Sequence, residues 1–292
     1  MMALPLQASN QKLARAPLKT GTKALPEMLL LAVFGLIIAG ASTASAQEEQ
    51  FGNPGHEREE LGINQYTAPS IARVFDQLDK LKPLPFDRIK RELPSAAPVD
   101  REQKGLIFGG LIADGFLIVE AQRKNLVEEF GRVLLREARG LGVGERVTRH
   151  SASLTEEGQQ GNWEAVREEL IGTQADVEEA MIALRDEKMA HLISLGGWLR
   201  GLEMSAAAVA INFSSQRAQI LAQPQLANYF ADELNTLPPR LMHAQMFDRI
   251  RLAVQSIGAI LNKKAASQLT IADIREIQSQ AHAANEAIRH VE

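Results

Sequence analysis

The sequence predicts an all-α fold: a multi-helix bundle with long central helices and an extended N-terminal arm. Three observations carry that expectation. From Asp100 onward alanine, leucine, glutamate and glutamine dominate, residues that lose little on entering a helix. Apolar residues recur there with helical spacing, and no alternating β-branched run is bounded by hairpin turns. Several amphipathic helices in one chain find their natural packing in a bundle.

Taken in order, the chain begins with an address. Residues 1–27 hold Lys12, Arg15, Lys19 and Lys23 against a single acid, Glu27, and an uncharged apolar run extends from Met28 to Ala41. Ser42-Thr43-Ala44-Ser45-Ala46 follows, so residues 1–46 have the basic, apolar and Ala-x-Ala parts of a secretory signal peptide. Cleavage after Ala46 would start the mature chain at Gln47. The alternative is an uncleaved membrane anchor, but fourteen apolar residues at about 1.5 Å each fall short of the roughly 30 Å hydrocarbon core. No later segment is apolar for long enough to span a bilayer.

Residues 47–100 read as an N-terminal arm with two short helices. Residues 47–68 mix Gly, Pro, Asn and charge without periodicity. Pro69-Ser70 can open a first helix, since Ile71, Val74, Phe75, Leu78 and Leu81 fall on one face, and Pro83 and Pro85 stop it. A second runs over Phe86–Leu93 and ends at Pro94. Residues 101–292 form the bundle domain, with helices predicted over 101–139, 144–158, 162–213, 215–233, 240–262 and 269–290. Gly140, Gly142 and Gly144 part the first two, Gly158 and Gly161 the next, and Pro238-Pro239 comes before 240–262.

Composition removes whole classes of function. The 292 residues contain no cysteine, which excludes disulfides, thiolate metal sites, iron–sulfur clusters and cysteine nucleophiles. The 32 basic residues against 36 acidic ones give a net charge of −4, where a nucleic-acid binder usually carries a basic surplus. Without residues 1–46 the net charge falls to −7. No His-Glu-x-x-His, Gly-x-Ser-x-Gly or Walker loop is present, and Gly140-x-Gly142-x-Gly144 lacks the strand and spacing of a dinucleotide site. No catalytic residue is assigned.

Two helices stand apart. The segment 162–213 carries one apolar stripe from Trp163 through Leu170, Leu184 and Leu192 to Phe213, in phase across Gly196-Gly197, which predicts one continuous or mildly kinked helix. The segment Leu106–Val119 is apolar all round and belongs in the middle of the domain. Both hold glycines at similar spacing: Gly105, Gly109 and Gly110 in the first, Gly196, Gly197 and Gly201 in the second. Each glycine costs about 1 kcal/mol against alanine inside a helix, so close approach of the two backbones is the expected compensation. The alternative is that they make room for a ligand.

Candidate chemistry consists of charges in apolar places. Asp114 lies within the all-apolar run and needs a partner. Lys188 falls on the apolar stripe, Glu187 and His191 lie beside it, Arg200 and Glu203 flank Gly201, and Arg123 adjoins the stripe of Val119, Val127 and Phe130. Crossing at the glycines would bring Asp114 to Arg200 or to the Glu187–His191 pair. The set Asp114, Arg123, Glu187, Lys188, His191, Arg200 and Glu203 is thus a candidate buried polar network, holding helix register or forming a site. Glu187 and His191 at i, i+4 are the metal-ligand candidates, and Met181, Met189, Met204, Met242 and Met246 with His191 and His243 are the set available for haem. Methionine in helices otherwise fills cores.

The resulting expectation is an exported, soluble helical bundle of the cell envelope, periplasmic or secreted, that acts through binding or structural interaction. Its partner is a protein or small molecule, with no nucleic acid and no cofactor. A metal- or haem-binding bundle is the first alternative, and an enzyme using Asp114 with Glu187, His191 or Arg200 as acid–base groups is the second.

Overall fold

The computed structural model describes residues 72–95, 100–263 and 265–290. The signal segment 1–46, the arm 47–68 and the Pro69-Ser70 helix start lie outside the described residues. Within them the chain is all-α, without a strand. The helices are α1 (Ala72–Lys80), α2 (Phe86–Ile89), α3 (Arg101–Glu120), α4 (Lys124–Gly140), α5 (Gly144–Gln160), α6 (Trp163–Ala183), α7 (Glu187–Ile211), α8 (Ser215–Gln219), α9 (Pro224–Asn235), α10 (Pro239–Met242), α11 (Gln245–Lys263) and α12 (Ile271–Arg289).

The pair α3 and α7 is the partition of the bundle. On one side lies a core built with α1, α2, α4, α5 and α6, to which α3 gives Phe108, Leu111, Ile112 and Phe116 and α7 gives Met189, Ile193 and Met204. On the other side a second core contains α9, α11 and α12, and there α3 gives Leu106 and Ile107 while α7 gives Leu192, Leu195, Trp198 and Leu199. A helix wetted by a core on both faces has no polar stripe, which is why both read as apolar all round. The two short helices of the predicted arm bury Phe75, Leu78, Phe86 and Ile89 in the first of these cores.

Two predicted helices are each divided by a turn that the sequence does not advertise. The segment 101–139 breaks at Ala121–Arg123, where Gln122 has φ +51°. There Arg123 N–H donates to the Ile118 carbonyl and Gln122 N–H to that of Val119. The segment 162–213 breaks at Leu184–Asp186, where Arg185 has φ +57°, Asp186 N–H donates to Met181 and Arg185 N–H to Ile182. Both are Schellman turns, with a large side chain in the left-handed position that glycine normally takes. Gly142 (φ +84°) and Gly161 (φ +78°) make the same turns at the ends of α4 and α5. Asp186 then caps α7 by accepting from Met189 N–H. Gly196-Gly197 lies inside unbroken helix, as the phase of the stripe requires.

Three smaller boundaries also shift. The segment 215–233 divides before Pro224, which opens α9 at a position where its missing N–H is no loss. The segment 240–262 divides at His243-Ala244 between α10 and α11. The predicted helix Phe86–Leu93 stops at Ile89, and Lys90 is extended with ψ 150°. That last change turns residues 90–95 into a strap across α3. Thr270 opens α12 with a capping box through Asp273.

Candidate functional site

The partition helices meet at their glycines. A Cβ placed on Gly109 would lie 1.8 Å from the Ile193 carbonyl oxygen and 2.8 Å from the Gly197 nitrogen. One placed on Gly196 would lie 2.0 Å from the Leu106 carbonyl oxygen. No side chain fits at either position, so the backbones themselves are in contact. The other glycines differ in role. Gly105 faces the Met189 sulfur, Gly110 leaves room for the Arg91 guanidinium, and Gly201 is buried farther along α7.

This crossing sets Asp114 of α3 beside Arg200 of α7. Arg200 Nε donates to Asp114 Oδ1 at 2.7 Å, and Arg91 Nε, from the strap, donates to Asp114 Oδ2 at 2.7 Å. Arg200 Nη1 continues to Glu203 Oε2 at 2.9 Å, and its Nη2 donates to the Ile89 carbonyl. Glu203 also accepts from Asn285 Nδ2 at 2.9 Å and pairs with His282 Nδ1 at 2.8 Å, both on α12. Charges alternate along Arg91, Asp114, Arg200 and Glu203, so the buried row is nearly neutral. Burial opposes ionisation of Asp114, but the guanidiniums of Arg200 and Arg91 outweigh it and hold its pKa below the usual carboxylate range. Burial also opposes the charge on Arg200, which Asp114 and Glu203 outweigh, raising its pKa. Burial pulls the Arg91 pKa down, and the Arg200 charge adds to that pull while Asp114 opposes it. Both oxygens of Asp114 carry a guanidinium, so this carboxylate is not free to act as a base, and the network ties four parts of the fold together.

The remaining members of the predicted network lie elsewhere. Lys188 and Glu187 are exposed, because α7 starts afresh at Glu187 and does not inherit the phase of α6. His191 stands nine residues before Arg200, about 13 Å along the helix. Its Nδ1 hydrogen-bonds the Tyr229 hydroxyl of α9, and burial lowers its pKa against the opposing charges of Glu233 and Glu187. Among the described residues no group of three or more His, Asp or Glu side chains converges as a metal site. Met181, Met189 and Met204 are packed in the first core, and His243 is exposed. Arg123 sits at the joint of α3 and α4, over the Phe86 ring at 4.6 Å from its centre.

Three features had no sequence signal. Arg91 was concealed inside a segment with helical periodicity. His150 of α5 lies between two acids of α6, with Nδ1 2.5 Å from Glu169 Oε2 and Nε2 3.1 Å from Asp176 Oδ2. Glu178 of α6 accepts from Gln174 Nε2 at 2.5 Å and from Ser194 Oγ of α7 at 3.1 Å. Burial pushes the Glu178 carboxyl up to about 7 despite those two hydrogen bonds.

Among the described residues no helix is long and apolar enough to cross a membrane. No protein-family model matches the chain, and no curated protein or solved structure matches it significantly.

Proposed function

We propose that the chain is exported and acts by binding or structural interaction in the cell envelope, not by catalysis. The observation that carries this reading is the order of residues 1–46: four basic groups, an apolar run, then Ala44-Ser45-Ala46. The character of the buried charges supports the second half. Catalytic acids and bases need an open coordination and a pKa matched to their task. Asp114, Arg200 and Glu203 instead spend their hydrogen bonds on one another, on Arg91, Asn285 and His282, and on backbone.

The test is fractionation of cells expressing the full chain, with N-terminal sequencing and metal and absorption analysis of the purified product. The reading predicts an envelope or extracellular protein beginning at Gln47, colourless and without stoichiometric metal. Retention in the cytosol with peptides from residues 1–46 intact, or a Soret band, would contradict it.

A further inference from the structure

We propose that the cleft beside Arg91 and Arg123 binds a monocarboxylate with an apolar body. This deepens the reading above, since it rests on the chain acting by binding. The cleft holds about 710 Å³ and lies between the Phe86–Leu93 segment and the joint of α3 with α4. That volume is in the range of sites for small molecules. Phe86, Leu117, Ile118 and Leu126 make one part of its wall apolar, and charged side chains make the rest.

Two guanidiniums on this cleft have donors to spare. Arg91 commits its Nε to Asp114, and neither of its Nη atoms makes a hydrogen bond among the described residues. Arg123 Nη2 is 3.6 Å from Asp87, too far for a hydrogen bond, and Asp87 is held more closely by Lys90 at 2.9 Å. The Nε of Arg123 makes no hydrogen bond among the described residues but is sealed from the cleft, so the side chain, 41% exposed, meets a ligand through its Nη atoms. A guanidinium's paired N–H groups are matched by a carboxylate, and the Nη atoms of the two arginines offer such donors. The apolar lining then accepts the body of the ligand.

The rim narrows the choice of ligand. Asp87, Glu92 and Glu129 also line the cleft, with Lys90 paired to Asp87, and the two unbalanced acids repel a polyanion. Asp114 does not compete, because Arg91 and Arg200 already neutralise it. One compact anionic head with a hydrocarbon or aromatic tail satisfies both conditions.

The test is calorimetric titration of the full chain with decanoate, inorganic phosphate and decyltrimethylammonium in separate arms. Decanoate should bind once per chain, with the other two at least tenfold weaker, and Arg123→Met should weaken decanoate at least tenfold. Phosphate binding as well as decanoate would mean a plain anion site, and equal binding of decyltrimethylammonium would mean a greasy surface. Either result overturns the proposal, as does absence of decanoate binding or its persistence in Arg123→Met. A second measurement needs no variant: decanoate should protect Arg123 of the wild-type chain from phenylglyoxal, while Arg149, with its side chain 83% exposed, stays reactive. Equal labelling of Arg123 with and without decanoate would overturn the proposal. Failure here in an exported protein removes the ligand class alone, and decanoate binding by a cytosolic chain removes the export reading alone.

Discussion

Replacing Glu178 by Gln keeps the side chain's size and removes one ionisation, so it isolates what that carboxyl contributes. In the folded chain Glu178 binds its proton up to about pH 7, whereas the ordinary value is 4.5. The folded state therefore holds more protons than the unfolded state between those limits, and stability falls as pH rises through them. At about 1.4 kcal/mol per tenfold change in proton affinity, the interval amounts to about 3 kcal/mol. That figure is a ceiling, because the residue is partly exposed and solvent recovers some of the penalty. Urea unfolding followed by far-ultraviolet circular dichroism at pH 5 and pH 8 reads the effect directly. Glu178→Gln should differ little from wild type at pH 5 and be more stable by about 2–3 kcal/mol at pH 8. A stability difference that does not change between the two pH values would refute the argument that burial governs this group.

Other outcomes follow from the same geometry. Asp114→Asn leaves two guanidiniums without their shared anion, so unfolding free energy should drop by about 3–5 kcal/mol, and a loss under about 1 kcal/mol would contradict a buried, paired carboxylate. Because the folded pKa of Asp114 is depressed, its stabilisation is present above the ordinary value of 3.8 and is lost as pH falls below it. Wild type should thus lose stability more steeply than the Asn variant as pH falls below 3.8, because the variant lacks that component of the pH profile. Gln122→Gly and Arg185→Gly relieve left-handed strain at the two divided helices and should each raise stability by about 0.5–1 kcal/mol, read as a thermal shift. No gain at either position would contradict the turn geometry.

How much of this could be read from sequence depends on whether the signal is local. The ends of α4 and α5 are visible because Gly142 and Gly161 occupy the left-handed positions. The ends of α3 and α6 are invisible because Gln122 and Arg185 do the same work, and no propensity marks them. A helix continued through the second break carries the apolar phase through Leu184, which is exposed at 59%, and puts Lys188 in a core it does not enter. Pro224 is a different case: it is a local signal, marking the first turn of α9 and the break before it. The need for a cation near Asp114 is legible from a lone acid in an all-apolar helix. Arg91 is not, because its part depends on residues 90–95 leaving helical geometry. His282 and Asn285 reach Glu203 only through the docking of α12 on α7, which no local pattern encodes.

The central claim is that α3 and α7 touch backbone to backbone at Gly109 and Gly196, and the comparison of Gly109→Ala with Gly258→Ala measures it most directly. At Gly258, inside α11, a new Cβ would find its nearest neighbour at 3.7 Å, so alanine should stabilise the chain by about 0.5–1 kcal/mol. At Gly109 the same methyl would meet a carbonyl oxygen at 1.8 Å, so alanine should destabilise it by about 2–3 kcal/mol or more. Opposite signs in equilibrium unfolding are the predicted result. A Gly109→Ala variant as stable as Gly258→Ala would mean that the two helices do not cross there, and the buried row of charges would lose its frame.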